Sequence, residues 1–138
     1  MKYVACAAGW SHTVLLRSDG NALAFGNNDS GQTLVPPLPE GMRYTAASAG
    51  GAHTLLLRSD GDVVAFGSNA GGQLNVVPLP PGKFYTAVSA GGAHSLLLRS
   101  DGVAVAFGYN EYGQSEIPEH PPGVSYCLVK ESARAHSY

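Results

Sequence analysis

The fold of this chain is decided by residues 55–67, which read LLLRSDGDVVAFG. Two short apolar segments flank an Asp-Gly pair, a pattern typical of a β-hairpin with a two-residue loop. Such a loop pairs Leu57 with Val64 and Leu55 with Phe66. Because both faces of this hairpin are apolar, the pattern predicts a sheet that is covered on both sides.

The hairpin pattern occurs three times at a constant spacing of 41 residues, as Phe25, Phe66 and Phe107 show. A repeat of about 40 residues lies in the range of a propeller blade, and each blade buries its faces on its neighbours. We therefore predict repeats at 1–41, 42–82 and 83–123. Residues 124–138 are predicted to be a degenerate start of a fourth repeat, or a tail, within the same domain.

Each repeat is predicted to contain three strands and a long connector. After its first tyrosine, the first strand consists mainly of small residues, as in 85–90 (YTAVSA), and therefore suits a crowded position near the axis. A proline-rich segment such as 77–82 cannot pair as a strand along its whole length, so it is predicted to return the chain to the next repeat. The expected fold is an all-β partial propeller, an open arc of three three-stranded antiparallel blades plus a fragment of a fourth.

Composition excludes several classes of protein. The 138 residues carry a formal net charge of −2, and only 13% are charged, which argues against a surface that binds nucleic acid. The sequence begins without a secretory signal and has no apolar run long enough to span a membrane, which predicts a cytoplasmic or nuclear location. Cys6 and Cys127 have no metal-binding or redox spacing, so no role is assigned to them.

The pattern AGGAH(T/S)LLLRSDG, followed by AFG, Asn and Gly-Gln, resembles the repeat of the regulator-of-chromosome-condensation family. Its short period is similar to repeats in propeller-type β-lactamase inhibitor proteins and in arrays attached to HECT-type ubiquitin ligases. The resemblance implies a β-propeller, commonly of seven blades. It also implies three functions: a protein-binding scaffold, guanine-nucleotide exchange on a small GTPase, or the substrate-binding part of a HECT-type ligase.

Residues that recur in register are predicted to be structural because an identical position implies an identical role in each repeat. The three histidines are expected to hydrogen-bond a strand to an adjoining loop, and a three-fold metal site is the alternative. The aspartates are expected to adopt the left-handed turn conformation and to pair with the preceding arginines. The structural set is His12, His53, His94, Asp19, Asp60, Asp101, Gly20, Gly61, Gly102, Asn28, Asn69, Asn110, Gln32, Gln73 and Gln114.

Function is expected where the repeats differ, in the loops between the recurring Asn and Gln positions. Aromatic residues are enriched at the energetic centres of interfaces, so exposed tyrosines and the single tryptophan are candidates for contact with a protein. The alternative for the tyrosines is that they cover the last blade. The predicted partner-binding residues are Trp10, Asp29, Tyr109, Glu111 and Tyr112.

The sequence contains no phosphate-binding Gly-rich loop, nucleophile elbow, His-Glu-x-x-His motif or cysteine pair. We therefore predict no catalytic, cofactor-binding or metal-binding residues, and no enzymatic activity. Three blades are too few to close a ring, which needs about four to eight. The chain is therefore expected to self-associate, as a dimer of six or slightly more blades, or to belong to a longer array. We also expect it to bind a protein partner.

Overall fold

The computed structural model describes residues 2–109 and Pro118. The described residues form nine strands in three separate antiparallel sheets of three strands each. The first sheet contains β1 (Tyr3–Ala8), β2 (His12–Arg17) and β3 (Ala22–Gly26). The second contains β4 (Tyr44–Ala49), β5 (His53–Arg58) and β6 (Val63–Gly67). The third contains β7 (Tyr85–Ala90), β8 (His94–Arg99) and β9 (Ala104–Gly108).

The three sheets are blades of an open, partial β-propeller, as the sequence predicts. Each sheet has its strands in chain order, and equivalent strands begin at the 41-residue spacing, as at Tyr3, Tyr44 and Tyr85. The predicted fragment of a fourth blade, at 124–138, lies outside the described residues. None of the described residues forms a helix long and apolar enough to cross a membrane.

The hairpin loop contains three residues, so the predicted two-residue loop and its register are wrong by one position. In the second blade the amide of Arg58 donates to the carbonyl of Asp62 at 2.9 Å, and the amide of Gly61 donates to the carbonyl of Arg58 at 3.0 Å. Gly61 has a φ of +82°, as expected for the glycine that ends a three-residue loop. Leu57 therefore pairs with Val63.

The turn aspartates do not adopt the left-handed conformation predicted for them. All described residues with a positive φ are glycines. The Asp60 carboxylate instead accepts a hydrogen bond from the amide of Asp62 at 3.1 Å and pairs with the Arg58 guanidinium at 2.6 Å. Asp19 and Asp101 form the same ion pair with Arg17 and Arg99, also at 2.6 Å. The predicted Arg–Asp pairing is thus confirmed in each blade.

Each sheet has two apolar faces, which we call face A and face B. Face A carries the tyrosine that begins the first strand and the phenylalanine of the third strand, and face B carries the recurring histidine. Face B of one blade packs on face A of the next. The core between blades one and two contains Val14, Leu16, Tyr44, Ala49, Leu56 and Phe66. The core between blades two and three contains Leu55, Leu57, Val63, Tyr85, Val88, Ala90, Leu97 and Phe107.

The first strands of neighbouring blades end side by side, where Gly50 has no room for a side chain. A Cβ atom on Gly50 would lie 2.2 Å from the carbonyl oxygen of Gly91 and 2.4 Å from Cε1 of His53. Backbone hydrogen bonds link the blades at this point, from Trp10 to Gly50 at 3.2 Å and from Gly51 to Gly92 at 3.1 Å. The glycines that follow this strand therefore meet a steric requirement.

The connectors are held against the cores by the tyrosines of the following blade. The hydroxyl of Tyr44 donates to the carbonyl of Pro36 at 2.9 Å, and the hydroxyl of Tyr85 donates to the carbonyl of Val77. Val35 and Leu38 of the first connector pack against the first core. The described connector residues form no strand, as their prolines predict.

Candidate protein-binding rim

The loops in which the repeats differ lie along one edge of the arc, which we call the upper rim. It comprises the turns at 9–11, 50–52 and 91–93, the loops 27–34 and 68–75, and Tyr109. Backbone hydrogen bonds, each of 2.8 Å, join Asn27 to Ser11, Ser68 to Ala52 and Tyr109 to Ala93. The opposite edge, the lower rim, contains the hairpin loops 18–20, 59–61 and 100–102.

The recurring Asn and Gln side chains hold the upper-rim loops in shape. Oδ1 of Asn28 accepts a hydrogen bond from the amide of Thr33 at 2.9 Å. Asn69 does the same for Leu74 at 2.8 Å. Such contacts let a polar side chain close its own loop. The structural role predicted for these asparagines fits this geometry, while Asn110 lies outside the described residues.

The glutamines are buried below the same loops. Gln32 and Gln73 are 1% and 3% exposed. Their side-chain oxygens accept hydrogen bonds from the amide of Ser30 at 3.0 Å and of Gly71 at 2.9 Å. Gln32 and Gln73 therefore form these hydrogen bonds within their own loops. Gln114 lies outside the described residues.

Trp10 is an exposed aromatic residue on the upper rim. Its side chain is 51% exposed, and its ring lies over the second blade, where a Cβ atom on Gly51 would be 3.3 Å from two ring carbons. The equivalent residues of the other blades are Gly51 and Gly92. Trp10 thus presents a large, half-exposed aromatic side chain at a position where the other two blades have glycine.

Tyr109 and Asp29 lie on the same rim but on different blades. Tyr109 is 38% exposed, and its Cβ atom lies against the preceding loop, 3.4 Å from where a Cβ on Gly71 would stand. Asp29 is exposed, and its carboxylate accepts a hydrogen bond from the Asn27 side chain at 3.2 Å. Glu111 and Tyr112, the other predicted contact residues, lie outside the described residues.

Charged groups are concentrated on the lower rim. Asp29 is the only charged residue in the described upper-rim turns and loops. On the lower rim, by contrast, the Arg99 guanidinium beside Asp101 lowers the pKa of that carboxyl to about 2. The upper rim is therefore nearly neutral and offers mainly aromatic, amide and hydroxyl groups, which is not the basic surface that a nucleic acid requires.

The recurring histidines connect neighbouring blades. Nε2 of His12 lies 2.9 Å from Oγ1 of Thr54, and this hydroxyl donates to the carbonyl of Gln32 at 2.8 Å. In the next interface Nε2 of His53 lies 3.1 Å from Oγ of Ser95, which donates to the carbonyl of Gln73 at 2.7 Å. The histidine thus reaches a strand of the next blade and not the predicted loop.

These hydroxyl partners were missed by the sequence analysis, although a signal was present. Position 54 and its equivalent, position 95, carry Thr and Ser within otherwise apolar strands. Both side chains are fully buried, and a buried hydroxyl requires a hydrogen-bond partner. The partner of Thr54 is 42 residues away in the chain, so only the arrangement of the blades identifies it.

Burial lowers the pKa of two of the recurring histidines, His12 and His53. It lowers the pKa of His53 to about 4, a change that a backbone contact with His94 partly opposes. Burial also lowers the pKa of His12. Among the described residues, no three His, Cys, Asp or Glu side chains come together in a group that could hold a metal ion.

Replacing Thr54 with valine is expected to destabilise the protein by about 1–3 kcal/mol, because His12 Nε2 and the Gln32 carbonyl both lose a buried partner. The free energy of unfolding in urea would measure this loss. Thr13→Val, measured at concentrations at which the chain is monomeric, is the matched control, since Thr13 then occupies the same position on an uncovered face of the first blade and is only half-buried. Equal losses in the two variants would contradict a role for the interblade hydroxyl.

The lower rim contains an open groove of about 430 Å³ between the loop 59–61 and the segment 84–86. Its charged wall is formed by Arg58 and Asp60, which pair with each other. Since these groups recur in every repeat, we attribute the groove to the turn and assign no specific site to it.

Comparison with known proteins identifies the repeat. The sequence profile of the regulator of chromosome condensation (RCC1) repeat matches residues 3–32, 44–73 and 85–114, once in each predicted repeat. A sequence comparison with curated proteins gave no match.

Several solved structures share the fold. Human WBSCR16 is 24% identical with a TM-score of 0.73, and the match covers 83% of this chain and 37% of that one. Prp20p from Saccharomyces cerevisiae, described with its binding properties to Gsp1p and histones, is 25% identical with a TM-score of 0.72, over 85% and 33%. The ectodomain of the Physcomitrella patens receptor kinase CR4 is 19% identical with a TM-score of 0.64, over 91% and 32%. The chain thus spans only about a third of the length of these proteins.

Proposed function

We propose that this chain, which belongs to the regulator of chromosome condensation (RCC1) repeat family, is a non-catalytic scaffold. It binds another protein through its upper rim. The observation that supports this most is the contrast between the two rims. The lower rim repeats the same Arg–Asp turn in each blade, whereas the upper rim carries Trp10 and Tyr109 where the other repeats have small or polar residues.

The chemistry of the upper rim fits a protein partner. Large aromatic side chains that are half-exposed on a rigid backbone lose little conformational freedom on binding. The loops beside them are held by Asn28, Asn69 and the buried glutamines, so their amide groups are presented in fixed positions. Trp10, Asp29 and Tyr109 are therefore proposed as separate contact points along one interface, with Glu111 and Tyr112 as further candidates.

Capture of partners by the purified chain tests this proposal. Trp10→Ala and Tyr109→Ala are expected to lose partners that the unmodified chain retains, as quantified by mass spectrometry. Phe84→Arg is the matched control, because Phe84 is a 49%-exposed aromatic residue on the lower rim and the equivalent residue of the second repeat is Arg43. Retention of all partners by both upper-rim variants, with loss in Phe84→Arg, would contradict the proposal.

Guanine-nucleotide exchange on a small GTPase is the second candidate, supported by the similarity to Prp20p and its described binding to Gsp1p. Release of a fluorescent guanine nucleotide from a panel of small GTPases measures this activity directly. No acceleration by the chain across the panel would exclude exchange and leave the scaffold proposal standing. A substrate-binding part of a HECT-type ubiquitin ligase is the third candidate.

We also propose that the chain acts in the cytoplasm or nucleus as one domain with repeats at 1–41, 42–82 and 83–123, followed by 124–138. Limited proteolysis should then leave the three repeats together, since each interblade core joins residues of two repeats.

A further inference from the structure

Face A of the first blade is an exposed apolar surface. Tyr3, Leu23 and Phe25 are 57%, 41% and 50% exposed. Their equivalents Tyr44 and Phe66 in the second blade, which lie against the first blade, are only 5% and 9% exposed. The side chains on the outer face are thus of the kind that the fold buries elsewhere, and contiguous exposed apolar groups mark an interaction surface.

The interior of the molecule shows what fits such a face. Face A of the second blade is covered by Val14, Leu16, Ala22 and Ala24 from face B of the first blade. Face A of the third blade is covered in the same way by face B of the second. On the third blade, face B carries the equivalent residues Leu96, Leu98, Ala104 and Ala106, which are half-buried.

We propose that a second copy of this chain docks here, with face B of its third blade on face A of the first blade. The contact would reproduce the two interblade interfaces already present within the chain. It is a head-to-tail contact, which closes a ring when the rotation allows it. Two copies supply six blades, the only multiple of three within the usual range of about four to eight blades.

The positions of the polar side chains on the two faces also fit this arrangement. Thr13 occupies on face A of the first blade the position that Thr54 occupies on the second and Ser95 on the third, where each lies beside a histidine of the preceding blade. His94 occupies the equivalent histidine position on face B of the third blade. A copy docked in the same register therefore brings Thr13 to His94. This surface is separate from the upper rim, so the proposal holds whether or not the rim binds a partner.

Cys6 provides a reporter of the docked state. It is exposed on face A of the first blade, at the position of Ala47 and of Val88, which is 8% exposed. If a second copy covers this face, the reaction of Cys6 with a maleimide should slow as the concentration of the unmodified chain increases. Peptide mass spectrometry distinguishes the labelling of Cys6 from that of Cys127.

Sedimentation velocity of the full chain over a concentration series is the main test. We expect a species of twice 14.2 kDa, and Leu23→Glu should weaken its formation about 100-fold or more, because it places an unpaired carboxylate in the contact. Leu34→Glu is the matched control and should leave the assembly unchanged. Leu34 is 65% exposed on the upper rim, and the third repeat carries Glu116 at the equivalent position.

A mixing experiment tests the head-to-tail geometry. Leu23→Glu blocks face A and Ala104→Glu blocks face B, so each variant alone should be monomeric. Mixing the two folded variants should give a dimer joined by a single contact, because each supplies the face that the other lacks. A monomer at all concentrations of the unmodified chain would overturn the proposal, as would rapid labelling of Cys6 at every concentration. A dimer that survives Leu23→Glu, or a failure of the folded variants to combine, would also overturn it.

Discussion

Gly50→Ala is expected to reduce the free energy of unfolding by about 3 kcal/mol or more, because there is no space for the new methyl group. Its Cβ would lie 2.2 Å from the carbonyl oxygen of Gly91 and 2.4 Å from Cε1 of His53. The first contact is with backbone of the next blade, so relief requires two blades to separate. For a domain of this size the loss corresponds to a fall in Tm of about 10 °C, measurable by calorimetry.

Gly71→Ala is the control for the loss of a glycine as such. A Cβ at this position would make only ordinary contacts, the nearest being 3.4 Å away at the Gln73 side chain and at Tyr109. The φ of Gly71 is not positive, so an alanine at this position introduces no backbone strain. Its stability should change by no more than about 0.5 kcal/mol. Similar effects in the two variants would show that the close approach of Gly50 to Gly91 in the next blade is not the reason for this glycine.

Stability is expected to fall by about 3 kcal/mol between pH 7.5 and pH 4.5, mainly through His53. The pKa of this side chain is about 4 in the folded protein against an ordinary value of 6.5. Well above pH 6.5 the imidazole is neutral in both the folded and the unfolded chain, so this side chain does not lower the free energy of unfolding. As the pH falls below 6.5, the unfolded chain binds a proton that the buried ring does not accept, so unfolding becomes more favourable. Urea unfolding at both pH values measures the difference.

Two comparisons identify the side chains that cause this pH dependence. The pKa values of Asp19, Asp60 and Asp101 lie below 3.8, so these turn carboxylates stay ionised over the range and contribute little to it. His53→Gln removes the titrating group while keeping an amide that can reach Ser95. The variant should lose much of the decrease in stability, leaving the smaller contribution of His12, whose pKa burial also lowers. An unchanged decrease would mean that other groups carry it.

The sequence predicted what depends on the repeat and on local chemistry. The three sheets, the strand order within each blade and the Arg–Asp pairs all follow from a pattern that is written three times. It predicted the hairpin register wrongly, because an Asp-Gly pair suits both a two-residue loop and the end of a three-residue loop. In this chain Ser59 joins the loop and Gly61 alone takes the positive φ, which shifts each pair by one residue.

Contacts between blades could not be predicted, because they join positions that only the stacking brings together. The sequence identified His12 and His53 as structural but could not locate their hydroxyl partners on the next blade. The exposure of the candidate site residues has the same origin. Trp10 is a candidate because it differs from Gly51 and Gly92, yet its half-exposed position over Gly51 follows from how two blades meet.

The two-faced blade has a consequence for how such a gene can change. Every repeat encodes one half of the joint with the unit before it and the complementary half of the joint with the unit after it. A duplicated unit would therefore arrive with both halves already matched to its neighbours, so the array could lengthen by a whole unit in a single genetic event. A substitution such as His53→Leu, in contrast, would leave Ser95 in the following unit mismatched and would need a second, distant change to repair it.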